Sequence, residues 1–406
     1  MSIAAQMRVL YLHPAAAFGG ASKSLIELYC SMRNSGVEGV VLTPAGPACK
    51  AFAAAGLGVR TVRGLSQFDN TRYGYYRRLR WLIVLRELFF LPFSLHALWC
   101  LRSENFDVLH VNEVTLLPLA ILAKRLLRIP MVVHVRSLQR KPGEGWRTRW
   151  LNSWMRRYAD AIVPIDHTVA RTLDSELPVS IVHNGLDVDV ANPIAISRAA
   201  DAPVRIGFLG VLIPLKGIYE LLEAARILKD RGVCFECIVA GENARELSGF
   251  KAWMLRHLGF ARNVLGELKV LIERGGLQQH VKLVGFVSDV RTLYPQLDIL
   301  CFPSHLDAAG RPVFEAALYS IPSVVAVTDP LPDAIVHGVT GLAVPRPDPL
   351  LIADALQMFV EDGDLRMRLG RQARVWAVEN FSIRNNATIM LRIYREVIFS
   401  SAQTAC

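Results

Sequence analysis

Two acidic residues stand eight positions apart after a short apolar run. The run ends near Phe302, Asp307 follows in a loop, and Glu315 lies in the helical pattern that begins after Gly310. Ionised carboxylates only accept hydrogen bonds, so such a pair suits the neighbouring hydroxyls of a sugar. A helix cap and a solvated helix face are the alternatives for either residue taken alone.

A lysine lies at the end of another strand-to-helix connection. An apolar strand pattern ends at Gly210, and Lys216 and Gly217 directly precede the helical pattern 218–229. A lysine in this place is positioned to hold a phosphate group as a point charge. A solvated surface lysine is the alternative.

Two adjacent glycines, Gly19 and Gly20, follow the first strand pattern and open a helix. The run is not a P-loop, because position 16 is alanine, and its spacing is not G-x-G-x-x-G. Glycines at a helix N-terminus still let backbone N–H groups approach an anion closely. A plain turn between strand and helix is the competing interpretation.

Short apolar runs alternate with longer helical patterns along the whole chain, which predicts two α/β domains built on parallel sheets. Ligands bind at the carboxyl ends of such strands, so two domains facing each other would hold a ligand in a cleft. The linker is expected at about 185–203. The predicted strands are Val9–His13, Gly39–Thr43, Asp107–Val111, Met131–Val135, Ala161–Pro164, Val204–Gly210, Phe235–Ala240, Val281–Gly285, Ile299–Phe302, Ser323–Val327 and Leu342–Val344.

The composition is that of a globular protein, with 52% hydrophobic and 20% charged residues among 406. The formal net charge of +10 predicts an anionic partner. Nucleic acid, an acidic membrane surface and a phosphorylated small molecule all satisfy this charge. No nucleic-acid-binding module is found, so nucleic acid is not expected.

Neither cysteines nor aspartates predict a metal site. The seven cysteines are scattered and follow no secretory signal, which favours a reducing cytoplasm. Cys234 and Cys237 lie in a strand pattern, where side chains three apart point to opposite faces. Asp187 and Asp189 form a D-x-D sequence, but they stand at the predicted domain junction, so a metal site is not expected there.

The segment Trp81–Leu101 is long and apolar enough to span a membrane. Arg86 and Glu87 would be costly at the bilayer centre, so a spanning helix is not predicted. Cations beside aromatics instead suggest peripheral attachment to the anionic inner leaflet of the cytoplasmic membrane. A helix that buries its aromatics under a basic rim is the alternative. The residues concerned are Tyr73, Tyr75, Tyr76, Arg77, Arg78, Arg80, Trp81, Arg86, Arg136, Arg140, Lys141, Trp146, Arg147, Arg149, Trp150, Trp154, Arg156 and Arg157.

The order of short motifs identifies a family. Along the chain come Gly19-Gly20, Asp107–His110, Asn184–Asp187, Lys216-Gly217, Ala240–Glu242, Gly285–Val287 with Asp289, Pro303-Ser304, the pair Asp307 and Glu315, and Asp348-Pro349. In this order they resemble glycosyltransferase family 4, a GT-B family that includes enzymes of bacterial cell-surface polysaccharide synthesis. The resemblance covers nearly the whole chain and is strongest from 184 to 350.

The resemblance implies a role for each matching position. Lys216 would contact the donor diphosphate, Glu315 the nucleotide ribose, and Asp307 the transferred sugar. His110 falls in a motif where the family often has a histidine near that sugar, and His134 competes for this role. Further substrate-binding positions would be Gly19, Gly20, Gly285, Val287, Gly310 and Arg311.

The implied reaction is metal-independent, retaining transfer from a nucleotide-diphosphate sugar to a glycan or lipid-diphosphate-linked acceptor. The implied domains are 1–190 for the acceptor and 191–382 for the nucleotide sugar, with 383–406 packing back on the first. The chain departs from the family pattern at Val211, where arginine is frequent, at Asp307, where glutamate is usual, and at Pro312, which lacks a backbone donor. Without an arginine at Val211, either Lys216 holds the diphosphate with less help or Arg311 supplies the second charge. A binding subunit without turnover and a nucleotide-sugar epimerase are the alternative functions.

Overall fold

The computed structural model describes residues 6–72, 74, 81–140, 145–189, 202–243 and 262–405 of the chain. The chain divides into two compact units. The first comprises Met1–Asp187 together with Phe381–Cys406, and the second comprises Val188–Asn380. The predicted linker at 185–203 lies largely outside the described residues.

In its described part, each unit is built on a six-stranded sheet whose neighbouring strands are all parallel. The order is β3-β2-β1-β4-β5-β6 in the first unit and β12-β11-β10-β7-β8-β9 in the second. The strands are β1 (Met7–Leu12), β2 (Val37–Pro44), β3 (Gly58–Val62), β4 (Val108–Val111), β5 (Met131–Val135), β6 (Ala161–Pro164), β7 (Val204–Leu209), β8 (Phe235–Ala240), β9 (Val281–Gly285), β10 (Ile299–Phe302), β11 (Ser323–Ala326) and β12 (Gly341–Val344).

Helices connect successive strands and cover the sheets. They are α1 (Gly20–Arg33), α2 (Pro47–Ala54), α3 (Ile83–Leu101), α4 (Leu117–Leu127), α5 (Gly145–Tyr158), α6 (His167–Ala170), α7 (Ile218–Asp230), α8 (Val264–Arg274), α9 (Arg311–Leu318), α10 (Pro349–Glu361), α11 (Gly363–Phe381) and α12 (Ile383–Ala405).

The first sheet is buried on both faces because alternate side chains of its strands enter two different cores. Val9 and Tyr11 of β1 lie in one core and Leu10 and Leu12 in the other, all without exposed surface. The C-terminal helix α12 belongs to this unit, packs against α1, and adds Tyr394 to the core that holds Tyr11.

The predicted α/β class with two parallel sheets is confirmed, and each of the eleven predicted strands corresponds to an observed one. The apolar runs of the sequence do not indicate β3. Two of its five residues, Arg60 and Thr61, are exposed, so this edge strand lacks the continuous apolar run of a strand buried on both faces.

Helix α3 is, among the residues described, the one that could cross a membrane by length and composition. This helix belongs to the first unit and packs on the rest of it along one side. Glu87 is buried and accepts from the backbone N of Gln67 at 2.9 Å, while Ser94 Oγ donates to the Gly64 carbonyl at 3.1 Å. The opposite side of the helix is exposed.

Candidate active site

In each unit the chemistry-bearing residues lie at the carboxyl ends of the strands, and several of them follow the two central strands, where the strand order changes direction. These are β1 and β4 in the first unit and β7 and β10 in the second. Connections after such strands run to opposite sides of the sheet and leave a crevice at their carboxyl ends, where ligands of open α/β sheets bind.

In the second unit, Lys216 ends a 3₁₀ turn, Pro214–Lys216, between β7 and α7. Its Nζ lies 5.0 Å from the centre of the Phe302 ring. Burial lowers the pKa of Lys216 below that of a free lysine. Its ammonium group has no hydrogen-bond or ion-pair partner within the described ranges.

The loop that carries Lys216 is fastened to the loop after β10. Ser304 Oγ donates to the Leu215 carbonyl at 3.2 Å, and the backbone N of His305 donates to the same oxygen at 3.0 Å. Gly217 has a φ of 75°, and a Cβ at this position would overlap the carbonyl oxygen of Pro303. Only glycine fits both the backbone angle and the contact.

Glu315 is held by two donors. Arg311 Nε donates to Oε1 at 2.7 Å, one helical turn earlier on α9, and Tyr294 OH donates to Oε2 at 2.7 Å. Tyr294 is buried, and this burial together with the Glu315 carboxylate raises its pKa well above the ordinary value, so it stays protonated. Arg311, which sequence reasoning directed at phosphate, pairs with Glu315 in this structure.

Asp307 caps a backbone group. Its φ of 55° lies in the left-handed region, and its Oδ1 accepts from the backbone N of Thr328 at 2.7 Å. Gly310 stands at the N-cap of α9 and lies against Phe302, the ring that also contacts Lys216. Phe302 therefore links the lysine loop to the acidic-pair loop.

The end of β9 carries the remaining predicted positions of this unit. Gly285 accepts from the backbone N of Gly241 at 2.8 Å, which joins the loops after β8 and β9. Val287 is half-buried, whereas Phe286 is 67% exposed. The sequence does not indicate Phe286 as a site residue, because an apolar residue that follows a strand gives no sign that its side chain faces solvent.

In the first unit, Gly19 is the N-cap of α1, and the space where a Cβ of Gly19 or Gly20 would lie is open. Ser22, in the first turn, is buried, and its Oγ lies 3.0 Å from His13 Nε2. The glycine turn thus lies next to a cluster of buried polar side chains.

The cluster of buried polar side chains extends across the ends of β4 and β5. His110 Nδ1 lies 2.6 Å from Tyr394 OH, and His110 Nε2 lies 3.3 Å from His134 Nδ1. Arg136 contacts Asn112, Asn184 and His134. His110 is enclosed by these partners, while His134 Nε2 has no hydrogen-bond partner in the described part of the chain.

Sequence reasoning missed most of this network. The sequence places Arg136 in the basic and aromatic set, and it gives Asn112 no role. Tyr394 lies 284 residues from His110, and no local pattern connects them.

The cysteine pair and part of the basic and aromatic set do not come together as the sequence pattern suggested. Cys237 is buried and Cys234 exposed. Arg147 of the basic and aromatic set is buried and donates to the Asp69 carbonyl at 3.3 Å, and Trp154 of the same set packs on the core. Residues 73, 75–78, 80 and 141 of the basic and aromatic set lie outside the described residues.

Comparison with known proteins adds the following. Residues 19–184 match the model "Glycosyl transferase 4-like domain", and residues 192–376 match "Glycosyl transferases group 1". The glycogen synthase of Mycobacterium tuberculosis is 22% identical over 96% of this chain and 94% of its own. The capsular polysaccharide biosynthesis glycosyltransferase CapM of Staphylococcus aureus is 26% identical over 44% and 42%. Anabaena HepE, solved in complex with UDP and glucose, has a TM-score of 0.72 at 19% identity, over 95% of this chain and 98% of HepE.

Proposed function

Because the chain belongs to the family 4 glycosyltransferases with the GT-B fold, we propose that it moves a sugar from a nucleotide-diphosphate sugar to a hydroxyl of a lipid-linked or polysaccharide acceptor. The transfer retains the configuration of the anomeric carbon. The names of CapM and of the amylovoran glycosyltransferase AmsK support a role in cell-surface glycan synthesis.

The observation that carries the proposal is the state of Lys216. An ammonium group that is partly desolvated and has no counter-ion among the described residues costs free energy in the folded protein, as the lowered pKa of Lys216 reflects. An anionic ligand would recover that cost. A diphosphate is such an anion, and its negative charge grows as the bond to the sugar breaks, so that Lys216 stabilises the transition state more than the ground state.

We propose that the departing diphosphate is neutralised without a metal ion. Lys216 supplies the charge, and the N–H groups at the start of α7 supply further donors. Arg311 Nε is bonded to the Glu315 carboxylate, so a second charge from Arg311 would reach the phosphate through its Nη groups while Nε keeps that bond. Activity that persists unchanged in excess chelator supports this part, and activity that returns only with added Mg²⁺ or Mn²⁺ refutes it.

The family resemblance implies retention, and the hydrogen bonds of the two carboxylates bear on how retention would be achieved. Both oxygens of Glu315 are bonded to Arg311 and Tyr294, and Asp307 caps Thr328. Neither carboxylate is placed as a free nucleophile, so same-face attack by the acceptor hydroxyl as the diphosphate leaves is the mechanism we propose. Proton NMR of the purified product tests it, because an inverted anomeric centre would exclude this mechanism.

The proposal that the acceptor is presented at a membrane depends on the exposed face of α3. Leu85, Leu88, Phe89, Leu95 and Trp99 project from this face, and Leu85 and Trp99 are 63% and 55% exposed. A contiguous apolar surface of this kind marks an interaction site on a soluble domain. Its rim is cationic: the Arg102 guanidinium lies 3.6 Å from the Trp99 ring centre, and Arg63 lies 5.3 Å from that of Phe89.

We propose that this face lies in the headgroup region of the anionic inner leaflet, where a lipid-diphosphate-linked acceptor is presented. A spanning arrangement does not fit, because the opposite side of α3 is bonded to the unit through Glu87 and Ser94. The double variant Leu85→Glu/Leu88→Glu is expected to lose flotation with phosphatidylglycerol vesicles at low salt. Met367→Glu/Val375→Glu, equally exposed on α11, is the matched control.

A second candidate function, nucleotide-sugar binding without turnover, is favoured by Val211. It is 49% exposed where the family resemblance leads one to expect arginine. Release of nucleoside diphosphate from a panel of UDP-, GDP- and ADP-sugars separates the two functions. Release identifies a transferase, whereas calorimetric binding with no release identifies a binding subunit.

A further inference from the structure

Helix α5 carries a row of aromatic residues at every fourth position, namely Trp146, Trp150, Trp154 and Tyr158. Residues four apart on a helix are neighbours, so the row follows one side of α5. The ring centres of Trp150 and Trp154 are 3.9 Å apart, and those of Trp154 and Tyr158 are 5.9 Å apart. At the rise of an α-helix, the row is about 18 Å long.

The two ends of this row differ in exposure. Trp154 and Tyr158 pack partly on the core of the first unit, so the C-terminal end of the row supports the fold. Trp150 is half-buried, and its ring centre lies 5.0 Å from that of Phe68 in an edge-on arrangement. Trp146, in the first turn, is 57% exposed. The exposed end of the row therefore consists of Trp146 and Trp150, and neighbouring rings hold Trp150 in place.

This exposed end lies where parallel sheets bind ligands. Helix α5 follows β5 and Phe68 follows β3, so both are at the carboxyl ends of strands of the first sheet. The Arg147 guanidinium lies 5.4 Å from the ring centre of Trp81, which directly precedes α3. The start of α5 therefore adjoins the start of α3, the helix proposed above to meet the membrane.

The two tryptophans also offer hydrogen-bond donors. In the described part of the chain, the indole N–H groups of Trp146 and Trp150 have no hydrogen-bond partner, and neither group is buried. Each side chain thus presents an apolar ring and a donor at its edge. A pyranose sugar has the matching surface, because C–H groups cover its faces and hydroxyl oxygens surround its rim.

A positive charge without a counter-charge lies beside these rings. Helix α5 contains four arginines and no acidic residue. Arg147 donates to a backbone carbonyl, and Arg156 pairs with two carboxylates. Arg149 and Arg157 are exposed, and neither has a hydrogen bond or an ion pair within the described ranges. A guanidinium group of this kind can hold a carboxylate through two parallel N–H donors.

We propose that Trp146, Arg149 and Trp150 form a subsite for an acidic saccharide, the glycan part of the acceptor. Sugar rings lie against the indole rings, and Arg149, three residues after Trp146 on the helix, pairs with a carboxylate of the same glycan. The identification of this saccharide as the acceptor rests on the proposed function. Its binding to α5 does not depend on turnover.

A membrane surface and single-stranded nucleic acid also bind aromatic residues beside cations. The exposed face of α3 adds leucines to its aromatics, as membrane insertion requires, whereas Leu151 and Met155 of α5 are buried in the core. Helix α5 therefore exposes rings and cations without aliphatic side chains. This favours a sugar over a bilayer, and the experiment below separates all three ligands.

Calorimetry on the full chain, without nucleotide sugar, tests the binding directly. We expect hexameric oligomannuronate, an acidic glycan, to bind more tightly than the neutral maltohexaose, and its affinity to fall with added salt. Trp146→Ala/Arg149→Gln should weaken the binding of oligomannuronate by about 10-fold to 30-fold, a loss typical of tryptophan and arginine at the centre of an interface. Its Tm should equal that of the wild type, because both side chains are exposed.

Trp99→Ala/Arg102→Gln is the matched control. It removes another exposed tryptophan with an adjacent arginine, on α3 of the same unit, and should bind oligomannuronate like the wild type. Absence of binding to the wild-type protein, or equal binding by the wild type and Trp146→Ala/Arg149→Gln, overturns the proposal. Polyuridylate that binds as tightly as oligomannuronate also overturns it, in favour of a general polyanion surface.

Flotation with phosphatidylglycerol vesicles separates the sugar from the membrane. Trp146→Ala/Arg149→Gln should float like the wild type, and loss of flotation with unchanged oligomannuronate binding would assign the row to the bilayer. Release of nucleoside diphosphate is measured separately. Failure to release it from any donor would remove the proposed function while the saccharide binding stands, whereas release without saccharide binding would overturn this inference alone.

Discussion

Replacing Lys216 by methionine should change activity and stability in opposite directions. The methionine keeps most of the apolar stem that packs near Phe302 and removes the ammonium group. If Lys216 holds the donor diphosphate, the variant loses a charge-assisted hydrogen bond of about 1.5–3 kcal/mol. At 1.36 kcal/mol per factor of ten, kcat/KM should fall by about 13-fold to 160-fold.

The empty protein should gain stability from the same change. Lys216 has a pKa lowered by burial and no ion-pair partner in the described ranges, so its charge is unfavourable in the folded state. Removing the charge from this half-buried site should raise the free energy of unfolding by about 1 kcal/mol, which is about 2–4 °C in Tm for a domain of this size.

The sign of this change in the free energy of unfolding can be tested by varying the pH. A lysine with a lowered folded pKa binds its proton more weakly in the folded than in the unfolded protein, so wild-type stability rises as pH approaches the ordinary lysine pKa of about 10.4. The stability difference between Lys216→Met and the wild type should therefore shrink over that pH range.

Lys229→Met is the matched control in the same unit. Lys229 Nζ donates to the Gly275 carbonyl at 2.8 Å, so its removal should lower Tm and leave nucleoside diphosphate release unchanged. Release is measured with the best donor of the panel, and melting by calorimetry without ligand. A Lys216→Met protein with wild-type kcat/KM, or with lowered Tm and unchanged activity, would refute the assignment of Lys216 as an unpaired diphosphate ligand.

Three further predictions concern the groups around this lysine. Gly217→Ala should lower the free energy of unfolding in urea by about 2 kcal/mol more than Gly232→Ala, because both have positive φ but only the first places a Cβ against the loop after β10. Tyr294→Phe leaves one oxygen of Glu315 without its donor, and we expect a loss of about 1–3 kcal/mol in urea together with weaker nucleoside diphosphate binding by calorimetry. Asp307→Glu should lower Tm by losing a backbone cap of about 1 kcal/mol, whereas Asp307→Asn, which keeps the acceptor, should melt near the wild type; equal melting of the two would contradict the capping role.

Much of the fold could be predicted from the sequence because buried parallel strands are continuous apolar runs. The same runs located the ends of β7 and β10, and hence the loops that carry Lys216 and Asp307. The pairing of Arg311 with Glu315 could also have been predicted, since residues four apart on a helix are neighbours. Sequence reasoning instead directed Arg311 to phosphate, following the missing cation at Val211.

The sequence by itself therefore determined the class of fold, the family and the loops where the chemistry lies. Only the tertiary structure decided which side chains meet there, because apolar alternation predicts burial but not which strands become neighbours. Tyr394 reaches His110 across 284 residues, and Arg136 lies beside Asn112 because β4 and β5 are adjacent. Hydrogen bonds of this kind depend on distances of a few tenths of an ångström, which the folded chain sets and no local pattern encodes.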